Sequence, residues 1–221
     1  CFTNFLKHLT MNRPLKHFSL CVGRELGSGG KEVAATLAKR LDASFYDREL
    51  IYHASKESGI APELFEKADE KTKIKIAGGF FGLGFSIHGA PFPQGGFLCN
   101  EELFSIQSQV IRDLAKIHSS VFVGRCAEYI LRDQENVFSV FIAADLDDRI
   151  ARISKIHNLS EKDAAAYIAA NEKRRSEYYN YYTYKKWGAA SSYNMCLNTS
   201  VLGVGKTIDI IEDVVRNLYS E

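Results

Sequence analysis

The segment Gly23-Arg24-Glu25-Leu26-Gly27-Ser28-Gly29-Gly30-Lys31-Glu32 holds the residue types that bind phosphate. Glycines let backbone N–H groups turn inward and approach phosphate oxygens closely. A helix beginning directly after them adds the partial positive charge of its N-terminus at the same place. Lys31 supplies a mobile cation for the terminal phosphates of a nucleotide such as ATP. The match to the phosphate-loop spacing GxxxxGK[ST] is partial. Gly30-Lys31 fits, but Glu25 stands where the first glycine belongs, and Glu32 where a magnesium-binding hydroxyl belongs. A carboxylate at Glu32 can itself hold magnesium as a hard oxygen ligand, and without metal it repels phosphate. Gly27, Ser28, Gly29, Gly30, Lys31 and Glu32 are the candidate donor-phosphate site. The alternative is a glycine-rich turn with no ligand.

The flanking elements are those such a loop requires. Phe18 to Val22 is an apolar run that reads as a buried strand, and Val33, Leu37 and Leu41 mark one face of the helix after the loop. Further short strands are expected at Ser44–Tyr46, Val121–Val123, Val137–Ile142 and Met195–Leu197. Helices are expected from about residue 47 to 58, along Leu103, Ile106, Val110, Leu114 and Ile117, and along Ile208, Ile211, Val215 and Leu218. Asp145 reads as an N-cap, with Asp148 supporting the first turn of a polar helical region over 147–182. In that region Arg149 and Arg152 lie three apart on one face and are placed to point together into a cleft. Strands separated by helices give the class α/β, a parallel sheet of about five strands covered by helices.

Residues 72–100 break the pattern. They hold seven of the 16 glycines and five of the 14 phenylalanines, too irregular for a plain helix and too apolar for a simple linker. They read either as an insertion near the site or as a loop covering the core. A chain of 221 residues suits one domain, 16–221, behind an N-terminal extension of 1–15 that contains Met11. A net charge of +1 argues against a broad basic grip on nucleic acid, and no apolar run nears the roughly 20 residues that span a bilayer. The five cysteines are scattered and lack CxxC spacing, as expected of a cytoplasmic protein with reduced thiols.

Three longer segments carry a resemblance: CVGRELGSGGKEVAATLAKRL with FYDRELIYHAS, then SSVFVGRCAEYILRDQENVFSVFIAADLDDRIARI, then RRSEYYNYYTYKKWGAASSYNMCLNTSVLGV. Together they resemble the cytidylate-kinase-like family of phosphate-loop kinases, over nearly the whole chain except the first 15 or so residues and 72–100. The resemblance implies a three-layer P-loop NTPase fold with an arginine-bearing helical lid, ATP and magnesium as cofactors, and transfer of a phosphoryl group to a small acceptor, such as a CMP-like nucleoside monophosphate. It implies that Asp47, Arg48 and Arg125 bind the acceptor. In the true cytidylate kinases a conserved arginine stands where this chain has His53, and acids stand where it has Val123 and Cys126. It implies further that Arg149, Arg152, Arg174 and Arg175 belong to the lid, with Lys31, Arg174 and Arg175 acting on the transferring group. Plainer readings stand beside these. Asp47 could cap a helix, Arg125 could form a structural ion pair, and the Tyr178-to-Tyr182 run could pack rather than stack on a base. The altered loop and missing acids also fit a non-catalytic nucleotide-binding protein on the same fold, and a non-nucleotide acceptor would explain the changed acceptor residues. The sequence leaves the oligomeric state open.

Overall fold

Ser19–Arg24 carries five buried residues in succession before a half-buried Arg24, as a strand covered on both faces should, and it forms β1. The computed structural model describes residues 14–57, 59 and 101–221. Residues 1–13 of the expected extension and the whole of 72–100 lie outside the described residues. Four more strands, β2 (Ser44–Tyr46), β3 (Ser120–Val123), β4 (Val137–Ala143) and β5 (Met195–Asn198), join β1 in one parallel sheet of order β2-β3-β1-β4-β5. The described helices are α1 (Gly30–Arg40), α2 (Arg48–Glu57), α3 (Glu101–Ile117), α4 (Ala127–Ile130), α5 (Leu146–His157), α6 (Glu161–Thr183) and α7 (Thr199–Tyr219).

Alternate side chains leave opposite faces of a strand, and the core divides accordingly. Leu20, Val22, Val121, Val123, Val140 and Ile142 pack against Val33 and Leu37 of α1 and Ile208, Ile211 and Val215 of α7. Cys21 and Phe122 point the other way, toward Ile51 of α2, Ile111 of α3, Ile130 of α4 and Tyr179 of α6. Full burial of each such aliphatic side chain contributes about 1.5–3 kcal/mol, so both faces hold the strand ends firmly in place. α1 follows the same logic, with Val33, Ala34, Leu37 and Ala38 inward, Glu32 in its first turn and Lys39 and Arg40 in its last.

The polar region expected over 147–182 is two helices. Left-handed Asn158 ends α5, and the Ser160 hydroxyl caps α6 by accepting from Asp163 N at 3.1 Å. Ile153, Ala164 and Ile168 form a small core of their own between α5 and α6, with Leu26 of the glycine loop packed against it. Asp145 occupies the N-cap position of α5 as expected, but its side chain does not cap. Its Oδ1 instead accepts from Asn198 Nδ2 at 2.9 Å and ties the end of β4 to that of β5. α7 crosses Gly203, whose φ of 72° is not helical, and so begins with a short separate turn. Leu15 bridges Ser220, which fastens the start of the described chain to the end of α7. Among the described residues no helix is long and apolar enough to cross a membrane.

Candidate functional site

The loops leaving the carboxyl ends of all five strands gather on one edge of the sheet, the edge at which open α/β sheets bind ligands. The glycine loop is stiffened from within. Ser28 Oγ donates to Glu25 O at 2.9 Å and accepts from Gly30 N at 3.3 Å. Ser28 O accepts from Thr199 Oγ1 at 2.7 Å, which fixes the loop to the start of α7. Gly27 has φ 85°, and a Cβ there would stand 2.9 Å from the Arg149 carbonyl oxygen, so α5 passes too close for any other residue.

Glu25 does not face the space inside the loop. Its Oε2 accepts from Ala144 N at 3.0 Å and lies 3.7 Å from Arg149 Nε. On the other side of the same guanidinium, Glu172 Oε1 accepts from Arg149 Nη1, and also from Leu26 N at 3.3 Å. Arg149 is 7% exposed and charge-balanced by two carboxylates. The expectation that Arg149 and Arg152 open together into a cleft therefore needs correcting. They share a face of α5, but the acids from the loop and α6 hold Arg149 against the loop. Arg152 alone lines a pocket of about 280 Å³ with Gly27, Ala144, Asp148, Thr199 and Ser200. Its Nη1 stands over Gly29, buried and without an acceptor.

On the other side of the loop, Lys31 is largely exposed and its Nζ lies 2.6 Å from Asp47 Oδ2. Asp47 Oδ1 accepts from Glu49 N at 3.0 Å and Leu50 N at 3.1 Å, so the carboxylate caps α2 and meets Lys31 at once. Burial alone would raise the Asp47 carboxyl, but the Lys31 ammonium and the two N–H groups outweigh it and hold it below its ordinary value.

Arg125 is presented by an unusual turn. Gly124, Arg125 and Cys126 all have positive φ, of 74°, 59° and 57°. A left-handed conformation costs a non-glycine residue roughly 1–2 kcal/mol, and such strain collects at functional sites. The Arg125 guanidinium lies 5.1 Å from the Tyr178 ring centroid, and its Nε is buried without a partner. Among the described residues it forms no ion pair. Arg175 Nη1 donates to Arg24 O at 3.3 Å, and Arg174 Nη2 donates to Asn171 Oδ1 at 2.9 Å.

The sequence reading passed over Arg24. Burial, the nearby Arg175, and then Arg48 and Arg125 pull its guanidinium down to about 9 against the opposing attraction of Asp47. Arg48 falls to about 10 through burial and then Arg125. Arg24, Arg48, Arg125 and Arg175 thus form a cationic cluster, with Asp47 acting on Arg24 and Glu172 on Arg175. The signal for Arg24 was a charge at the end of an otherwise apolar strand, at the entry to the glycine loop.

The Tyr178-to-Tyr182 run packs. Tyr182 stacks on Phe104 at 3.8 Å between ring centroids, and Tyr179 is buried beside Tyr193. Only Tyr178, beneath Arg125, borders the site. Among the described residues no cluster of three or more His, Cys, Asp or Glu could enclose a metal. Magnesium bound beside phosphates needs only one or two protein carboxylates. Exposed Glu32, next to Lys31, fits that smaller set.

A crystal structure of a protein from Eubacterium ventriosum, described as uncharacterized, is similar over 90% of this chain and 98% of that one, at 28% identity and a TM-score of 0.66. Shikimate kinases from Bacteroides thetaiotaomicron and Acinetobacter baumannii match at 13% identity each, with TM-scores of 0.49 and 0.46, over 90% and 96% of this chain and 98% and 97% of theirs. No curated protein matches the chain. The model of the cytidylate kinase-like family matches residues 19–201, which run from β1 to the first turn of α7 and include every site residue described above, so the chain belongs to the cytidylate kinase-like family.

Proposed function

We propose that this kinase-like protein transfers the terminal phosphoryl group of ATP to a small acceptor that already bears a phosphate, a nucleoside monophosphate being the first candidate. The observation that carries this reading is three arginines left without an ion-pair partner among the described residues. These are Arg24, Arg125 and Arg152, and buried Nε of Arg125 and Nη1 of Arg152 have no acceptor. A buried donor left unsatisfied costs about 1–3 kcal/mol, which a bound phosphate would recover. Arg152 stands at Gly29 and Arg24 at Gly30, the two residues before Lys31. Arg152 stands with the pocket against α7, on the side suited to the donor nucleotide. Arg125 stands with Arg48 on the acceptor side.

In this reading the N–H groups of Gly27 to Gly30 and the Lys31 ammonium hold the donor phosphates. Arg174 and Arg175 approach from α6 and neutralise charge that develops on the transferring group. Glu32, with phosphate oxygens, would hold magnesium, whose charge offsets that of the bridging phosphates. The state of Asp47 favours a phosphorylated acceptor over an alcohol. An alcohol needs a general base, and both Asp47 oxygens are engaged while its carboxyl sits below the ordinary range. A phosphate oxygen is already nucleophilic at neutral pH and needs none.

The test is ATP consumption with magnesium across nucleoside monophosphates and small phosphorylated metabolites, beside Lys31→Ala. Turnover that depends on one phosphorylated acceptor and is lost in the variant is the expected result. ATP binding without turnover on any acceptor is what a non-catalytic nucleotide-binding protein would give, and it would overturn this reading.

A further inference from the structure

We infer that Arg24 is the centre of a second anion subsite, distinct from the donor-phosphate site of Gly27 to Lys31, that grips the phosphate of the acceptor and thereby restricts the protein to phosphorylated acceptors. The inference rests on the kinase reading above for its biological meaning, but its structural basis is independent of it.

Two of the site's glycines are shaped around this side chain. A Cβ on Gly30 would stand 2.5 Å from Arg24 Cβ, and a Cβ on Gly124 would collide with Arg24 Nη1. The stem therefore runs from the first residue of α1 to the left-handed turn that presents Arg125. Its backbone carbonyl accepts from Arg175 Nη1, which ties the same residue to α6. One arginine thus touches the glycine-loop helix, the Arg125 turn and the helix that bears Arg174 and Arg175. A side chain so placed usually ends in an ion pair. This one has no carboxylate or carbonyl partner among the described residues, although Asp47 is near enough to attract it. Like charges close at hand, Arg175, Arg48 and Arg125, weaken its hold on a proton and favour an anion at its tip. Planar guanidinium forks near one another suit a phosphate monoester, which accepts paired hydrogen bonds.

The test uses the full chain and inorganic phosphate at constant ionic strength, read as the phosphate-dependent shift in melting temperature. Arg24→Met keeps most of the stem between Gly30 and Gly124 and removes the charge. The structure predicts that its ligand-free melting temperature stays level or rises, because a like charge has gone. Its apparent affinity for phosphate should fall about 10- to 100-fold, the loss of one charged hydrogen-bonding group. Should Arg24→Met not fold, Arg24→Lys keeps charge and length but loses the fork, and it too should bind phosphate more weakly. In Lys31→Ala a phosphate response that still depends on Arg24 should remain. Unchanged phosphate affinity in the Arg24 variants overturns the subsite. So does a phosphate response that vanishes with Lys31 alone, or no response in the unmodified protein. With a working acceptor, Arg24→Met should raise KM for the acceptor and leave KM for ATP in place. Arg24-dependent phosphate binding without turnover sinks the kinase reading and keeps the subsite. Turnover whose acceptor KM ignores Arg24 sinks the subsite alone.

Discussion

Two groups of arginines lie on opposite sides of one glycine loop, and they differ in how their charge is answered. Arg149 is enclosed by Glu25 and Glu172, which bind the loop and α6 together through it. Arg24 and Arg125, on the side proposed for the acceptor, have no ion-pair partner among the described residues, and Arg125 is held there by a run of left-handed backbone. The residue type is the same. The balanced group reads as framework and the unbalanced group as binding surface, because a protein tolerates uncompensated buried charge chiefly where a ligand completes it.

The comparison can be broken by substitution, most severely at the cation between the two groups. Lys31→Ala should lower kcat about 10²- to 10³-fold with little loss of stability, because Lys31 is 68% exposed and its pairing with Asp47 is partly wet. Steady-state kinetics beside a thermal melt checks both halves. Arg149→Met should do the reverse in its origin, destabilising by about 3 kcal/mol in urea because two carboxylates lose their shared counter-charge. An unchanged urea midpoint would remove Arg149 from the framework group. Gly27→Ala should cost about 2 kcal/mol, since its φ of 85° and the Arg149 carbonyl at 2.9 Å both oppose a side chain.

The smallest effect concerns pH. Burial holds the Glu128 carboxyl, on α4 directly after the Arg125 turn, above its ordinary value. The folded state therefore keeps a proton that the unfolded chain releases. This contribution is fully present below about pH 4.3 and is lost as pH rises through the raised value. Glu128→Gln should be more stable than the unmodified protein near pH 7 and lose that advantage near pH 4, as urea midpoints at both pH values would show. Equal midpoints at both would mean the carboxyl is not held up.

Much of the frame was legible in the chain. Short apolar runs located the central strands, because strands buried on both faces must be continuously apolar, while the edge strands β2 and β5 rested on shorter runs. The glycine loop announced itself between strand and helix. The break at Asn158 and Ser160 was missed because helical patterning continues on both sides of it. Less of the site was legible, for a physical reason. Whether an arginine is framework or binding surface depends on carboxylates far off in the chain. Glu172 lies 23 residues from Arg149, and Glu25 reaches it across the sheet edge. Arg24 carried no spacing signal, since what distinguishes it is the room that Gly30 and Gly124 leave for its stem.

The most direct test of the central claim is ³¹P NMR of ATP and magnesium with matched acceptors, a nucleoside monophosphate and the corresponding nucleoside. The account predicts that γ-phosphoryl intensity moves into a new phosphoanhydride resonance with the monophosphate and does not move with the nucleoside. A phosphate monoester formed on the nucleoside, or no transfer to any phosphorylated acceptor, would contradict it.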